Sequence, residues 1–166
     1  MENVEYNERV PMGTLIKGLI VMITALIVFI TFTILFFGGT TVESLFAIAL
    51  NLGVFTFILL LFWNFRCLRI QVSGERLTVV YGIFNKKSFL LKELTYCKTT
   101  RANLGRYFGV GIRYGVDGSI AYSTSFGEAV EVAPKNGKVF VFSSNNPDKV
   151  CKTIKNFQVS RVVDLS

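Results

Sequence analysis

Residues 19–37 read LIVMITALIVFITFTILFF and residues 44–65 read SLFAIALNLGVFTFILLLFWNF, separated by GGTTVE at 38–43. Neither run contains a charged side chain. A helix rises about 1.5 Å per residue, so either run crosses a hydrocarbon core of about 30 Å. In a soluble domain such a helix needs apolar partners on every side, and a chain of 166 residues cannot supply two such shells. The pattern predicts a transmembrane helical hairpin with spans at about 15–37 and 44–65. A cleaved signal peptide is the rival reading of the first run. Signal cores are shorter, about 7–15 residues, and follow a basic segment, whereas Glu2, Glu5 and Glu8 precede this one.

The composition agrees with a membrane protein, at 51% hydrophobic and 17% charged, and nearly all the charge lies outside the two runs. Residues 66–166 carry sixteen Lys/Arg against seven Asp/Glu, a net of +9. Three parts follow: a polar N-terminal tail at 1–14, the hairpin at 15–65, and a basic domain at 66–166. The tail, with Pro11 and Gly13, reads as flexible or interfacial. Arg9 and Lys17 precede the first charge-free run and Arg66 and Arg69 follow the second, while the connecting loop has no Lys or Arg. The positive-inside rule then places both termini in the cytoplasm. Lys17, Trp63, Arg66 and Arg69 are candidate contacts with the membrane surface, because amphipathic side chains there keep a polar end among the headgroups.

After Arg66 the pattern changes to period two with turn punctuation, as half-buried strands require. The expected strands are Leu68–Val72, Leu77–Phe84, Ser88–Leu91, Leu94–Thr100, Val110–Tyr114, Ile120–Thr124, Ala129–Ala133 and Val139–Ser143. Asp117-Gly118 and Asn136-Gly137 are dipeptides suited to tight hairpins. A final helix starts at Asn146-Pro147-Asp148, with an N-cap, a proline at its first position and an acid at the positive dipole end. Val150, Cys151, Ile154 and Phe157 form its apolar face, and Lys149, Lys152 and Lys155 recur on the other side. Eight short strands and one helix suggest a small antiparallel barrel or sandwich capped by that helix.

The stretch Phe108-Gly109-Val110-Gly111-Ile112-Arg113, then Ser119–Tyr122, Ala129–Val132, Lys138–Ser143 and Asn146-Pro147-Asp148 resembles bacterial pleckstrin-homology-like domain proteins. In particular it is similar to membrane-anchored members with one or two N-terminal spans. The resemblance covers roughly Arg66–Phe157 and implies two antiparallel sheets closed by the C-terminal helix. Its motifs are structural, and they specify a fold better than a function.

Catalytic chemistry finds little support. The chain has no His, and Cys67, Cys97 and Cys151 show no metal-ligand spacing, so no metal or other cofactor is expected. The three cysteines read as separate buried thiols in a reducing compartment. Gly109 and Gly111, with Arg106 and Arg113 nearby, run into a strand rather than a helix N-terminus, which favours a bend over a phosphate cradle. Glu128 and Glu131 fall on opposite faces of one strand.

A non-enzymatic adaptor is therefore expected, binding a protein, a peptide or a second copy at the inner membrane face. The alternative is recognition of anionic lipid headgroups through a basic face, for which Lys86, Lys87, Lys149, Lys152 and Lys155 are candidates. Clustered Lys/Arg at one end of the barrel favours lipid; an apolar groove beside a strand edge favours a peptide. Nucleic acid is not expected, since the aromatics read as core. Within the hairpin, Asn51 lies about as deep as Thr31, and the two are expected to pair. Ala49 and Gly53 then face outward as a small-residue patch for self-association.

Overall fold

The computed structural model describes residues 4–38, 41–102 and 109–164, with side chains at 6–38, 41–102 and 109–158. The chain forms two compact units: a hairpin, Thr14–Asn64, and a domain assembled from both of its flanks, Met1–Gly13 and Phe65–Ser166.

The hairpin is two helices, α1 (Thr14–Phe37) and α2 (Val42–Phe65). Each has 24 residues, about 36 Å of helix, and each is long and apolar enough to cross a membrane. Thr41 caps α2, its hydroxyl accepting from the Ser44 N–H at 3.2 Å. No side chain of α1 is buried, and in α2 only Ser44 is, unlike the core helix of a soluble protein.

The first strand comes before the hairpin. Residues 4–11, expected as a flexible or interfacial tail, form β1 (Val4–Pro11), which pairs antiparallel with β2 (Cys67–Ser73) from Val4↔Ser73 to Pro11↔Cys67. The domain thus begins at β1 rather than at residue 66, and the hairpin is inserted between two neighbouring strands. β3 (Arg76–Tyr81) and β4 (Asn85–Leu90) complete a four-stranded sheet in the order β1-β2-β3-β4. Period-two alternation sends Val10, Leu68, Ile70, Val72, Leu77, Val79 and Tyr81 inward and leaves Arg9, Arg69 and Lys86 exposed.

A 3-10 turn, Leu91–Glu93, leads into the second sheet. Its strands are β5 (Leu94–Ala102), β6 (Gly111–Tyr114), β7 (Ile120–Ser123), β8 (Gly127–Pro134) and β9 (Phe140–Ser143), in the order β5-β8-β9-β7-β6. The expectation of a wholly antiparallel domain needs one correction, since β7 and β9 run parallel. The longer connection through β8 lets β9 enter between β7 and β8 in the same direction as β7. Asp117-Gly118 turns β6 into β7 as expected, with Gly118 at φ 77° and the Asp117 carboxylate accepting from the Ser119 N–H at 3.1 Å.

The C-terminal helix α3 (Pro147–Asp164) buries Val150, Cys151 and Ile154 in the common core. Lys149, Lys152 and Lys155 lie on its exposed side. The Gln158 amide donates to the Leu91 and Leu94 carbonyls at 2.9 and 3.0 Å, fastening the helix to the 3-10 turn. Two sheets and one helix around a shared core agree with the mainly-β reading.

Candidate functional site

The N-terminal strand is fixed by one carboxylate. Glu8 faces inward and is buried. It accepts from the Tyr6 hydroxyl at 2.8 Å, the Ser144 hydroxyl at 2.8 Å and the Asn145 N–H at 2.6 Å. Ser144 also accepts from the Asn146 N–H at 3.1 Å, so the same cluster organises the start of α3. Burial, together with the hydrogen bond to Glu8 and its charge, pushes the Tyr6 hydroxyl above its usual range. A second buried carboxylate, Glu131 on β8, pairs with Lys98 Nζ at 2.9 Å and accepts from the Tyr96 hydroxyl at 2.9 Å. Glu128 on the same strand is exposed, as opposite-facing positions require.

The cysteine reading is corrected. Cys97 on β5 and Cys151 on α3 form a disulfide across 54 residues of chain. They are distant in sequence, but α3 packs directly on β5 and brings them together. Only Cys67 is free. Disulfides are rare in cytosolic proteins, so the cysteines do not mark a cytosolic domain.

The basic candidates divide between elements. Lys86 and Lys87 belong to β4 at one edge of the four-stranded sheet, whereas Lys149, Lys152 and Lys155 are on α3, with Lys149 Nζ 5.7 Å from the Tyr6 ring centre. They are not one face. A different set does share a row: Arg9↔Arg69↔Val80↔Lys86 are register partners across all four strands. Arg9, which enters the sequence reading only as a marker of topology, and Arg69 lie directly opposite each other, an arrangement that like charges disfavour. Lys17, Trp63 and Arg66 are exposed, and the Arg66 carbonyl accepts from the Met12 N–H at 2.9 Å, tying together the two chain segments that flank the hairpin.

Inside the hairpin, Thr31 and Asn51 occupy the half-covered sides of their helices, while Ala49 and Gly53 are exposed. The proposed bond between the first two is not formed. The Thr31 hydroxyl donates to the Ile27 carbonyl at 2.9 Å and the Asn51 amide to the Ala47 carbonyl at 3.0 Å, each within its own helix. Intrahelical carbonyls four residues back satisfy both donors without a partner helix.

Gly109 and Gly111 have φ of 144° and 103°, and the second opens β6. The Arg113 Nε donates to the Val110 carbonyl at 3.2 Å, closing the bend on itself. Arg106 and Phe108 lie outside the described residues. Among those described, no group of three or more His, Cys, Asp or Glu is placed to hold a metal ion. In comparisons with family models, curated proteins and solved structures, nothing matches this chain.

Proposed function

We propose that the chain is a membrane-anchored, non-enzymatic binding domain, held at one face of a bilayer by a hairpin inserted between β1 and β2. The observation that carries this reading is the β1–β2 ladder, Val4↔Ser73 to Pro11↔Cys67. Strands on opposite faces of a membrane cannot pair, so either both helices cross or neither does. The apolar length of both supports crossing. Removal of α1 as a signal sequence would also strip β1 from its sheet. Both buried carboxylates are engaged in structural bonds, which supports binding over catalysis.

The ligand of the first reading is a protein, a peptide or a second copy of the chain. β4 and β6 each have one neighbour in their sheets, an arrangement suited to strand addition, and the exposed Ala49 and Gly53 suit helix association. The second reading, anionic headgroup recognition, is favoured by the Arg9–Arg69–Lys86 row. The pleckstrin-homology-like identity belongs to this proposal, supported by two packed sheets and the C-terminal helix.

The Lys/Arg distribution supports a cytoplasmic domain, and the Cys97–Cys151 disulfide favours the opposite face. We place it in the cytoplasm, because Arg9, Lys17, Arg66 and Arg69 stand at the domain-side ends of the two spans and the connecting loop has no Lys or Arg. Cross-linking in membranes followed by affinity purification of the full chain tests the binding role. A stoichiometric protein partner, or a cross-linked dimer lost in Gly53→Leu, supports the first reading. Recovery of the monomer with lipid alone rejects it.

A further inference from the structure

We infer that the β3–β4 hairpin is a second, peripheral contact with the membrane: its apolar tip, Ile83-Phe84, enters the interface while the Arg9–Arg69–Lys86 row and Lys87 meet anionic headgroups. This rests on the hairpin's crossing the bilayer and deepens the headgroup reading.

The register supplies the placement. Pro11 pairs with Cys67, Leu68 with Tyr81, and Tyr81 with Asn85. The turn at 82–84 therefore projects from the end of the sheet at which β1 runs on to α1 and β2 arrives from α2. Gly82, at φ 75°, makes the turn. What it presents is unusual for a solvent-exposed turn: Ile83 is 72% and Phe84 85% exposed, where polar turn residues are the rule. Phe126, also exposed, follows Thr124, whose carbonyl accepts from the Gly13 N–H at 3.0 Å, so it lies close to the same entry point.

Charge agrees with the apolar tip. Arg69 is four residues beyond Phe65, no more than about 13 Å of extended chain, and Lys86 lies two residues beyond the tip. Among the described residues, no carboxylate forms a salt bridge with Arg9, Arg69 or Lys86. Three cations in one row, two of them directly opposed, are relieved by an anionic partner. A bilayer interface supplies both the apolar depth for Ile83 and Phe84 and the negative charge for the row.

Tryptophan quenching tests this in the full chain. Trp63 is the sole tryptophan, so Phe84→Trp is made in a Trp63→Phe background. The variant is reconstituted into vesicles of brominated phosphatidylcholine with and without phosphatidylglycerol. Val116→Trp, in the turn before the other end of β7 and 74% exposed, is the control. Blue-shifted, strongly quenched emission is expected for Phe84→Trp with phosphatidylglycerol. Most of that quenching should disappear without the anionic lipid, or when Lys86→Glu and Lys87→Glu are added. The Val116→Trp emission should match that of tryptophan in water throughout. Ile83→Trp reads the same tip if the Phe84 variant does not fold. Emission from the tip indistinguishable from the control overturns the inference, as does quenching indifferent to both phosphatidylglycerol and the lysines. Quenching of Trp63 in the wild-type chain reports the anchor separately, so a failure of the tip is distinguishable from a failure of the hairpin to span.

Discussion

Replacing Glu8 by alanine removes the carboxylate that joins β1 to the start of α3. Three donors lose their acceptor at once: the Tyr6 hydroxyl, the Ser144 hydroxyl and the Asn145 N–H. A hydrogen bond to a charged group contributes about 1.5–3 kcal/mol net. The three share one acceptor and are not additive, so a total of about 3–5 kcal/mol is the better figure, comparable to breaking a buried charged pair. At about 4 °C per kcal/mol for a domain of roughly a hundred residues, the melting temperature falls by about 12–20 °C. Glu8→Gln keeps the shape and one acceptor oxygen and should lose about half as much. Thermal unfolding of the full chain in detergent, followed by circular dichroism in the β region, reads the shift. Limited proteolysis should show β1 released first, because it is an edge strand whose one neighbour in the sheet is β2. A Glu8→Ala protein melting within about 4 °C of wild type would refute the idea that Glu8 fastens the strand.

Three further outcomes follow from the packing. Ile154→Ala should destabilise the domain by about 2–5 kcal/mol, since the side chain is buried in the common core, whereas the exposed Lys152→Ala should cost less than about 0.5 kcal/mol; equal melting temperatures would reject the facing of α3. Dithiothreitol should lower stability by about 4 kcal/mol, the chain-entropy value for a loop of 54 residues, and should have no effect on Cys151→Ala; an unchanged wild-type midpoint would show that the bridge does not constrain the unfolded chain. Burial pushes the Tyr81 hydroxyl up to about 12, with the neighbouring Cys67 adding to it, against about 10 in an unfolded chain. The folded state then holds the proton more tightly, so this contribution is full below pH 10 and lost as pH rises toward about 12. Urea unfolding between those pH values should lose stability more steeply in wild type than in Tyr81→Phe, and identical slopes would contradict it.

The hairpin was legible because a small soluble core has no room for two charge-free runs of that length, and both helices begin and end within two residues of expectation. Strands after Arg66 were legible where alternation met turn chemistry, as at Asp117-Gly118. β1 was not, although Val4, Tyr6, Val10 and Met12 alternate, because Glu8 interrupts the apolar face and its partners lie over 130 residues away. For the same reason Arg9 was missed as a neighbour of Arg69. Leu77–Phe84 read as one strand because Ile83 and Phe84 continue an apolar run; Gly82 turns the chain and leaves them exposed. The disulfide depended on α3 reaching β5, a tertiary fact no cysteine spacing encodes. Matching Asn51 to Thr31 by depth is blind to the carbonyls within each helix that satisfy them.

Impermeant maleimide labelling in oriented membranes shows whether both flanks of a membrane-crossing hairpin fold together on one face. In a Cys67→Ser background, Asn7→Cys on β1 and Lys152→Cys on α3 are exposed positions of the domain, and Val42→Cys opens α2 at the far end of the hairpin. Asn7→Cys and Lys152→Cys should label only from the cytoplasmic face, and Val42→Cys only from the other. Labelling of Asn7→Cys and Lys152→Cys from opposite faces, or of all three from the same face, would rule out a crossing hairpin with both flanks folded together.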